Sequence, residues 1–238
     1  MLAESAQNVQ SGNLDSDVHL PSTAKLELIA FITEELPRWR DHPDRPIKQN
    51  ETTLTEHLCD HLNSATYYSA NWSHIQFRTE TGDESRPGRK IDLTVKPRAV
   101  AIFIENRRHS QFDSLFPIEC KRLPTPKEKD RDEREYVITE SATTGGIQRF
   151  KDGHHGAGHS FAAMIGYVQE HNCGHWLKQV NAWIQEMASA ASPGWSDADL
   201  LEQLSHDSRM KVSTIKSRHQ RAGNLSDCDI CHLWIEMN

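Results

Sequence analysis

Apolar residues recur at helical spacing in two segments near the start of the chain. In 22–39 they stand three or four positions apart after a Ser-Thr pair that can cap a helix, and Pro37 is expected to end it. In 51–65 leucine repeats every fourth residue, at Leu54, Leu58 and Leu62, which predicts a helix with one apolar stripe. Residues 1–20 are polar and rich in Ser, Asn and Gln, and are interpreted as a flexible arm.

From Trp72 onward the pattern changes to short runs rich in β-branched and aromatic residues. Gly, Pro, Asn and Asp separate these runs, as is typical of strands. The predicted strands are IQFRTE, RKIDLTVK, AVAIFIE and LFPIECKRL. A charged, Pro-punctuated loop follows, and then a helix that either contains Tyr136 to Thr139 or starts near Ile147.

The last third of the chain is predicted to be helical and then to close with strands. Helices are expected from Ser160 to Val168, in 175–190, and as a short capped helix in DADLLEQL. RMKVSTIKSR and CDICHLWIEM are predicted to be the closing strands. This order favours an α/β fold, a central mixed sheet flanked by helices, in one domain over 21–238. Within it, 51–150 carries the motifs and 151–238 is the helical and closing-strand part.

Composition adds that the chain is expected to be a cytoplasmic protein without a membrane partner. Of its 238 residues, 36 % are hydrophobic, and the mean hydropathy is −0.70. No apolar run approaches the roughly 18 residues of a membrane span, and the first residues do not have the pattern of a signal peptide. Five scattered cysteines fit reduced thiols better than a disulfide framework.

The charge is unevenly distributed along the chain. The net charge is −7, yet from Arg78 to Arg134 there are 14 Lys and Arg against 11 Asp and Glu. The remaining residues carry 13 basic side chains against 23 acidic ones. On charge alone the basic middle region is interpreted as ordinary solvated surface, although it is the part of the chain that a nucleic-acid partner would face. The acidic remainder favours additional protein partners.

Two predicted strands each hold a carboxylate among apolar residues. Asp92 lies in KIDLTV and Glu119 in PIECKRL, and burying a carboxylate is costly unless something pairs with it. Because side chains alternate along a strand, Glu119 and Lys121 share one face. Two carboxylates are suitable ligands for Mg²⁺, or for Mn²⁺ in its place, and an adjacent ammonium can orient or activate a metal-bound water.

These residues resemble the active-site motif of the PD-(D/E)XK, or restriction-endonuclease-like, nuclease superfamily. The resemblance covers about 51–150 and implies that Asp92 and Glu119 bind the metal, together with the Cys120 main-chain carbonyl, while Lys121 assists the water. Ile91 stands where the family name has Pro. The 26 residues between Asp92 and Glu119 exceed a simple hairpin, so AVAIFIE must be accommodated there as an insertion or extra strand.

The resemblance also implies supporting residues on the neighbouring helices. A Glu often precedes the first strand, and Glu51 faces the leucine stripe on a helical wheel, whereas Glu56 points away and could belong to a capping box with Thr53. Glu51 is therefore preferred as a further metal ligand and catalytic residue. On the helix after E-C-K, Gln148 is expected to position water or substrate and Arg149 to contact phosphate, although either could instead cap or pair within the fold.

The E-C-K-R-L, G-G-I-Q-R-F-K-D-G and M-I-G-Y-V segments look most similar to restriction-like nucleases of bacterial anti-phage defence systems. This resemblance implies a metal-dependent nuclease that hydrolyses DNA as an effector subunit of such a system. The alternative is a catalytically inactive subunit of the same fold that binds nucleic acid or a partner protein in a defence complex. Other motifs are weaker: C-D-I-C-H matches a haem attachment pattern, and Cys228, Cys231 and His232 could join Cys173 and His175 at zinc. The sequence contains no nucleophile elbow, which is the motif that would indicate Ser-His-Asp catalysis.

Overall fold

A computed structural model describes residues 18–47, 49–83, 88–104, 106–127, 131–139 and 144–238. Its four helices are α1 (Ala24–Arg40), α2 (Glu51–Tyr68), α3 (Gly146–Lys151) and α4 (Cys173–Ser189). Its strands are β1 (Val18–Leu20), β2 (Ile75–Gly82), β3 (Lys90–Pro97), β4 (Ile102–Ile104), β5 (Arg107–His109), β6 (Phe116–Leu123), β7 (Phe161–Val168), β8 (Glu202–Asp207), β9 (Val212–His219) and β10 (Cys228–Glu236).

Seven strands form one mixed sheet in the order β2-β3-β6-β7-β10-β9-β8. β2, β3 and β6 pair antiparallel, β6, β7 and β10 pair parallel, and β9 and β8 continue antiparallel. β1, β4 and β5 form a separate three-stranded sheet, so AVAIFIE supplies the extra strand expected between Asp92 and Glu119. The predicted α/β class and the mixed sheet flanked by helices are confirmed.

Hydrophobic side chains cover both faces of the large sheet. On one face α1 and α2 pack their apolar stripes, and Leu54, Leu58 and Leu62 are fully buried as the four-residue repeat predicts. On the other face α3 and α4 pack against the sheet, with Trp176, Val180 and Trp183 of α4 in the core. The parallel strands in the centre are thereby shielded from water on both sides.

The predicted helix from Ser160 to Val168 is wrong, because this segment is the central strand β7. It lies between β6 and β10, and residues 162–168 are all buried. A strand buried on both faces is a continuous apolar run, which periodicity alone does not distinguish from a buried helix. Gly166 fits this position because a Cβ there would lie 2.4 Å from Cδ1 of Trp234 on β10.

The short helix predicted in DADLLEQL is also wrong. Only Asp197–Asp199 form a 3₁₀ turn, which Ser196 and Asp199 close with a capping box, and β8 follows. Asn181 on α4 bonds both the N–H and the carbonyl of Leu201, at 2.8 and 2.9 Å. This tertiary contact replaces the backbone bonds that would have continued the helix.

Two predictions near the start of the chain also differ from the structure, and in the middle of the chain the structure decides between two alternatives. Pro37 does not end α1, because Arg40 anchors the last turn by donating to the carbonyls of Met210 and Glu236. Val18–Leu20 form β1 beside β4 instead of belonging to a flexible arm, while residues 1–17 of that predicted arm lie outside the described residues. The helix alternative at Tyr136 to Thr139 is a turn, and α3 is the helix near Ile147.

Candidate functional site

Side-chain alternation along β6 places Glu119 and Lys121 on one face and Cys120 on the other. Cys120 lies in the core beneath α2, whereas Lys121 Nζ lies 3.0 Å from Glu119 Oε1. Both charged residues are almost fully buried. Burial alone would lower the pKa of Lys121, but the carboxylates of Glu119, Glu51 and Asp92 raise it above its usual value, so the ammonium stays charged.

Asp92 reaches this cluster from the neighbouring strand. The β3-β6 ladder ends at the pair of Leu93 and Ile118, and Asp92 and Glu119 are the next residues beyond this pair on their two strands. Asp92 Oδ2 accepts a hydrogen bond from the Cys120 N–H at 2.9 Å. Burial, together with the nearby Glu119 carboxylate, raises the pKa of Asp92 to about 7 from 3.8. A carboxyl group that resists ionisation to this degree sits where a cation would stabilise its charged form.

Glu51, the first residue of α2, closes the cluster from the helix. Asn50 caps α2 by accepting from the Thr53 N–H at 2.9 Å. Glu51 Oε1 accepts from Lys121 Nζ at 3.2 Å, and Oε2 accepts from the Arg122 N–H at 3.2 Å. Because Asn50 is the cap, the capping-box alternative for Thr53 and Glu56 is wrong, and Glu56 is exposed.

Glu119 has two further cationic or polar partners, one of which sequence reasoning missed. Arg149 on α3 donates to Oε1, and His155 Nδ1 lies 3.1 Å from Oε2. Although burial raises the pKa of Glu119, the contacts with Lys121, His155 and Arg149 outweigh it and hold that pKa at about 2. Glu119 is therefore an ionised carboxylate at neutral pH.

The loop after α3 brings His155 back over the strands. The His155 N–H donates to the Arg149 carbonyl at 3.0 Å, and the next residue, Gly156, donates to Asp83 Oδ2 at 3.1 Å. Gly156 adopts φ +60°, and a Cβ there would meet Pro117 at 2.7 Å. The sequence signal for this turn is the glycine-flanked G-H-H-G segment at 153–156, which follows shortly after Gln148 and Arg149.

Gln148 and Glu135 occupy the margin of the cluster. Gln148 Oε1 accepts from the Thr139 N–H at 3.3 Å, which leaves its predicted positioning of water or substrate untested. Glu135, which precedes α3, has Oε1 3.8 Å from Lys121 Nζ and forms a two-pronged ion pair with Arg131. The structure thus gathers Glu51, Asp92, Glu119 and Lys121, and adds Arg149, His155 and Glu135 around them.

The donor chemistry of this cluster fits a hard divalent cation. Glu51, Asp92 and Glu119 supply carboxylate oxygens, the ligands that Mg²⁺ prefers. As the described residues stand, no three His, Cys, Asp or Glu are arranged around one ion, and N–H donors occupy both oxygens of Glu119. Among these residues, Oε1 of Glu119 meets both Arg149 and Lys121, whereas Oε2 meets only His155 and keeps a second lone pair that an ion could use. The role of the Cys120 carbonyl stays a prediction.

A second chain of buried polar groups anchors α3 to the sheet. Asp199 accepts from Lys151 at the end of α3 and contacts His219 Nδ1 at 2.7 Å; Ser217 Oγ then lies 2.7 Å from His219 Nε2. His232 continues the chain, 2.8 Å from Ser217 Oγ through Nε2 and 2.8 Å from Tyr136 through Nδ1. Despite its Ser-His-Asp order, this network is buried and mutually satisfied, and it fixes the helix that carries Arg149.

The cysteine motif near the end of the chain has a packing role. Cys228, Cys231 and Cys173 are buried free thiols, and burial raises the pKa of each. Both nitrogens of His232 already have hydrogen-bond partners. C-D-I-C-H therefore packs as part of β10, without the free imidazole nitrogen that a haem or zinc ligand needs.

Comparisons of this chain with protein-family models, with curated proteins and with solved structures found no match. Among the helices of the described residues, none has the length and apolar character that a transmembrane span requires. The fold and the cluster together define an α/β protein with a buried Glu-Lys-Glu ion-pair centre at the β3-β6 junction. The function is inferred from that centre.

Proposed function

We propose that this protein is a Mg²⁺-dependent nuclease that hydrolyses phosphodiester bonds of DNA. The observation that carries the proposal is the position of Lys121 Nζ, 3.0 Å from Glu119 and 3.2 Å from Glu51, with Asp92 bonded to the backbone between Glu119 and Lys121. Carboxylates on three separate elements converge on one buried ammonium.

The arrangement of elements supports a restriction-endonuclease-like core. The helix that carries Glu51 comes first, the antiparallel strands β2, β3 and β6 follow, and α3 and the parallel strand β7 complete the unit. The resemblance in sequence places the metal-binding Glu, the Asp and the E-x-K motif in this order. Glu51 and Glu119 both lie close to Lys121, although 67 residues separate them in the 238-residue sequence.

Each residue of the centre has a chemical role in this proposal. Glu51, Asp92 and Glu119 would hold the divalent ion, which when bound lowers the pKa of water and offsets charge on the phosphate. Lys121 orients the attacking water and stabilises the negative charge that develops on the phosphoryl oxygens. Arg149, once it leaves Glu119, is placed to contact the same phosphate, and the Lys151–Asp199 pair fixes its helix.

A catalytically silent binding subunit is the second candidate, and one observation favours it. Both oxygens of Glu119 are bonded, to Arg149 and to His155, so the carboxylate is internally neutralised. A protein that used this fold only to bind nucleic acid or a partner would be stable in this state. The role in a defence complex, the partner subunits and the cytoplasmic location are proposed from the sequence resemblance and composition.

Plasmid DNA cleavage tests the proposal directly. The full chain is expected to nick or linearise plasmid in Mg²⁺ and to lose all cutting in excess chelator, while Glu119→Ala, purified identically, excludes a contaminating nuclease. Cutting that persists in the chelator or in Glu119→Ala would contradict the metal mechanism. Stable DNA binding without cutting, in Mg²⁺ and in Mn²⁺, would select the binding subunit.

The role of Glu51 has a matched control on its own helix. Glu51→Gln is expected to slow DNA cleavage by about 10–100-fold, because it weakens the ligand set and the contact that positions Lys121. Glu56→Gln changes an exposed carboxylate about 1.4 turns further along the same helix, and this variant should cut at the wild-type rate. Rates measured at saturating Mg²⁺ and over a Mg²⁺ titration check both. Equal cleavage rates for the two variants would show that Glu51 is not part of the active site.

A further inference from the structure

A cavity of about 360 Å³ lies between the first two helices, away from the candidate active site. Its walls come from the end of α1, from the loop that joins α1 to α2, and from one face of α2. The lining includes Trp39, His42, Arg45, His57, Asp60 and His61. None of these residues belongs to the cluster around Lys121.

Three nitrogen atoms in the walls of this cavity are buried without a hydrogen-bond partner. They are Trp39 Nε1, Arg45 Nη1 and His57 Nδ1. Trp39 is 2 % exposed, and its indole N–H can only donate. A buried N–H that has given up water without gaining an acceptor destabilises the fold, and native proteins rarely leave such groups unpaired. Since Trp39, Arg45 and His57 all line one cavity, a ligand that enters it could supply the missing acceptors.

The Arg45 guanidinium is held in place by contacts that leave Nη1 unused. Nε donates to the Arg40 carbonyl at 2.9 Å, and Cζ lies 5.4 Å from the centre of the Trp39 ring. This pose keeps the guanidinium beside the indole. A held guanidinium with a free N–H is a strong donor for phosphate or carboxylate oxygens.

Acidic and histidine side chains also surround the cavity, and a ligand would have to be compatible with their charges and hydrogen-bonding groups. Glu35 is already paired with His61 and Arg38, and Asp44 and Asp60 are exposed residues of the lining. His42 Nδ1 accepts from the Asp44 N–H at 3.2 Å, so His42 Nε2 carries the proton of the neutral ring. The buried part of the lining thus offers N–H donors, whereas its carboxylates, on Asp44 and Asp60, are exposed.

We propose that this cavity binds a phosphate monoester, with the phosphate oxygens accepting from Trp39, Arg45 and His57. The volume suits a compact phosphorylated molecule. A cation is disfavoured by Arg45, and no three His, Cys, Asp or Glu of the described chain are placed around one ion. The site is independent of the proposed nuclease activity, because the two share no side chain.

Indole N–H resonances provide the test. The full chain has 6 tryptophans, and a ¹⁵N–¹H spectrum of the full chain without added metal should lose one indole cross-peak in Trp39→Phe. Titration of inorganic phosphate is expected to move that peak downfield and saturate, while the other indole peaks stay in place. Arg45→Gln should weaken phosphate binding at least about tenfold in calorimetry, because it removes the charged donor. Arg209→Gln, an exposed arginine outside the lining, should bind as the wild type does.

Separate titrations with acetate and with Zn²⁺ distinguish the class of ligand. A Trp39 peak that moves with acetate but not phosphate would overturn the assignment to a phosphate group, and one that moves only with Zn²⁺ would overturn an anion site altogether. Equal phosphate affinity in Arg45→Gln and wild type would also refute the proposal. If Trp39→Phe does not fold, the calorimetric comparison of Arg45→Gln with Arg209→Gln still decides.

Discussion

Replacing Asp92 by Asn is expected to stabilise the fold by about 2–4 kcal/mol at pH 8 and at the same time to abolish DNA cleavage. The pKa of Asp92 is raised to about 7 from 3.8, so the folded state binds this proton more tightly than the unfolded chain does. Ionised Asp92 therefore lowers the free energy of unfolding of the wild-type protein. This loss is absent well below pH 4, grows as the pH rises, and is complete above about pH 7. Asn removes the charge while its amide oxygen can still accept from the Cys120 N–H.

Urea unfolding at pH 5 and pH 8 measures this effect. The unfolding free energy of Asp92→Asn should exceed that of the wild type by about 2 kcal/mol more at pH 8 than at pH 5. Asp113→Asn is the control of opposite sign: hydrogen bonds from Ser110 lower the pKa of Asp113, so neutralising this carboxylate should destabilise the fold slightly. A stability gap for Asp92→Asn that does not change with pH would contradict the assigned cause. DNA cleavage by Asp92→Asn at the wild-type rate would show that Asp92 is not part of the active site.

Lys121→Ala is expected to reduce DNA cleavage by about 10²–10⁴-fold, the range typical of a positioned acid-base or electrostatic group. It also leaves the buried Glu119 carboxylate without its adjacent ammonium, so a loss of about 3–5 kcal/mol in unfolding free energy is expected. Single-turnover cleavage at a temperature well below the melting transition separates the two effects.

Two further lysine variants sharpen the interpretation of Lys121. Lys121→Arg keeps the positive charge near Glu119 and Glu51 and should recover part of the stability, but a planar guanidinium cannot replace a compact ammonium beside water, so cleavage should stay low. Lys96→Ala, on β3 and bonded to the Phe112 carbonyl, should leave the single-turnover rate unchanged. Wild-type cleavage by Lys121→Ala would refute the mechanism.

The parts of the fold that local pattern determines were predictable from the sequence. The leucine repeat located α2, and period-two alternation in E-C-K placed Glu119 and Lys121 on one face because a strand allows no other arrangement. The helical wheel also turned Glu51 toward the sheet, where it meets Lys121. These features depend on residues a few positions apart.

The parts that depend on distant partners were not predictable. The apolar run of β7 fits a helix or a strand equally well until β6 and β10 are known to flank it. His155 meets Glu119 only because Gly156 turns the backbone and Asp83, far away in the sequence, holds it. Likewise Glu135 and the Lys151–Asp199 pair involve loops whose course no periodicity describes.

The short strand β1 has a practical consequence for anyone who shortens this chain. Val18–Leu20 run parallel to Ile102–Ile104, and β5 covers the other side of that strand. A truncation at Pro21, natural if residues 1–20 are treated as a dispensable tail, would strip β4 of one neighbour and expose the hydrogen-bonding groups of an apolar strand edge. Such an edge recruits strands from other molecules. Expression variants that begin after Leu20 should therefore self-associate, whereas those that keep Val18–Leu20 should not.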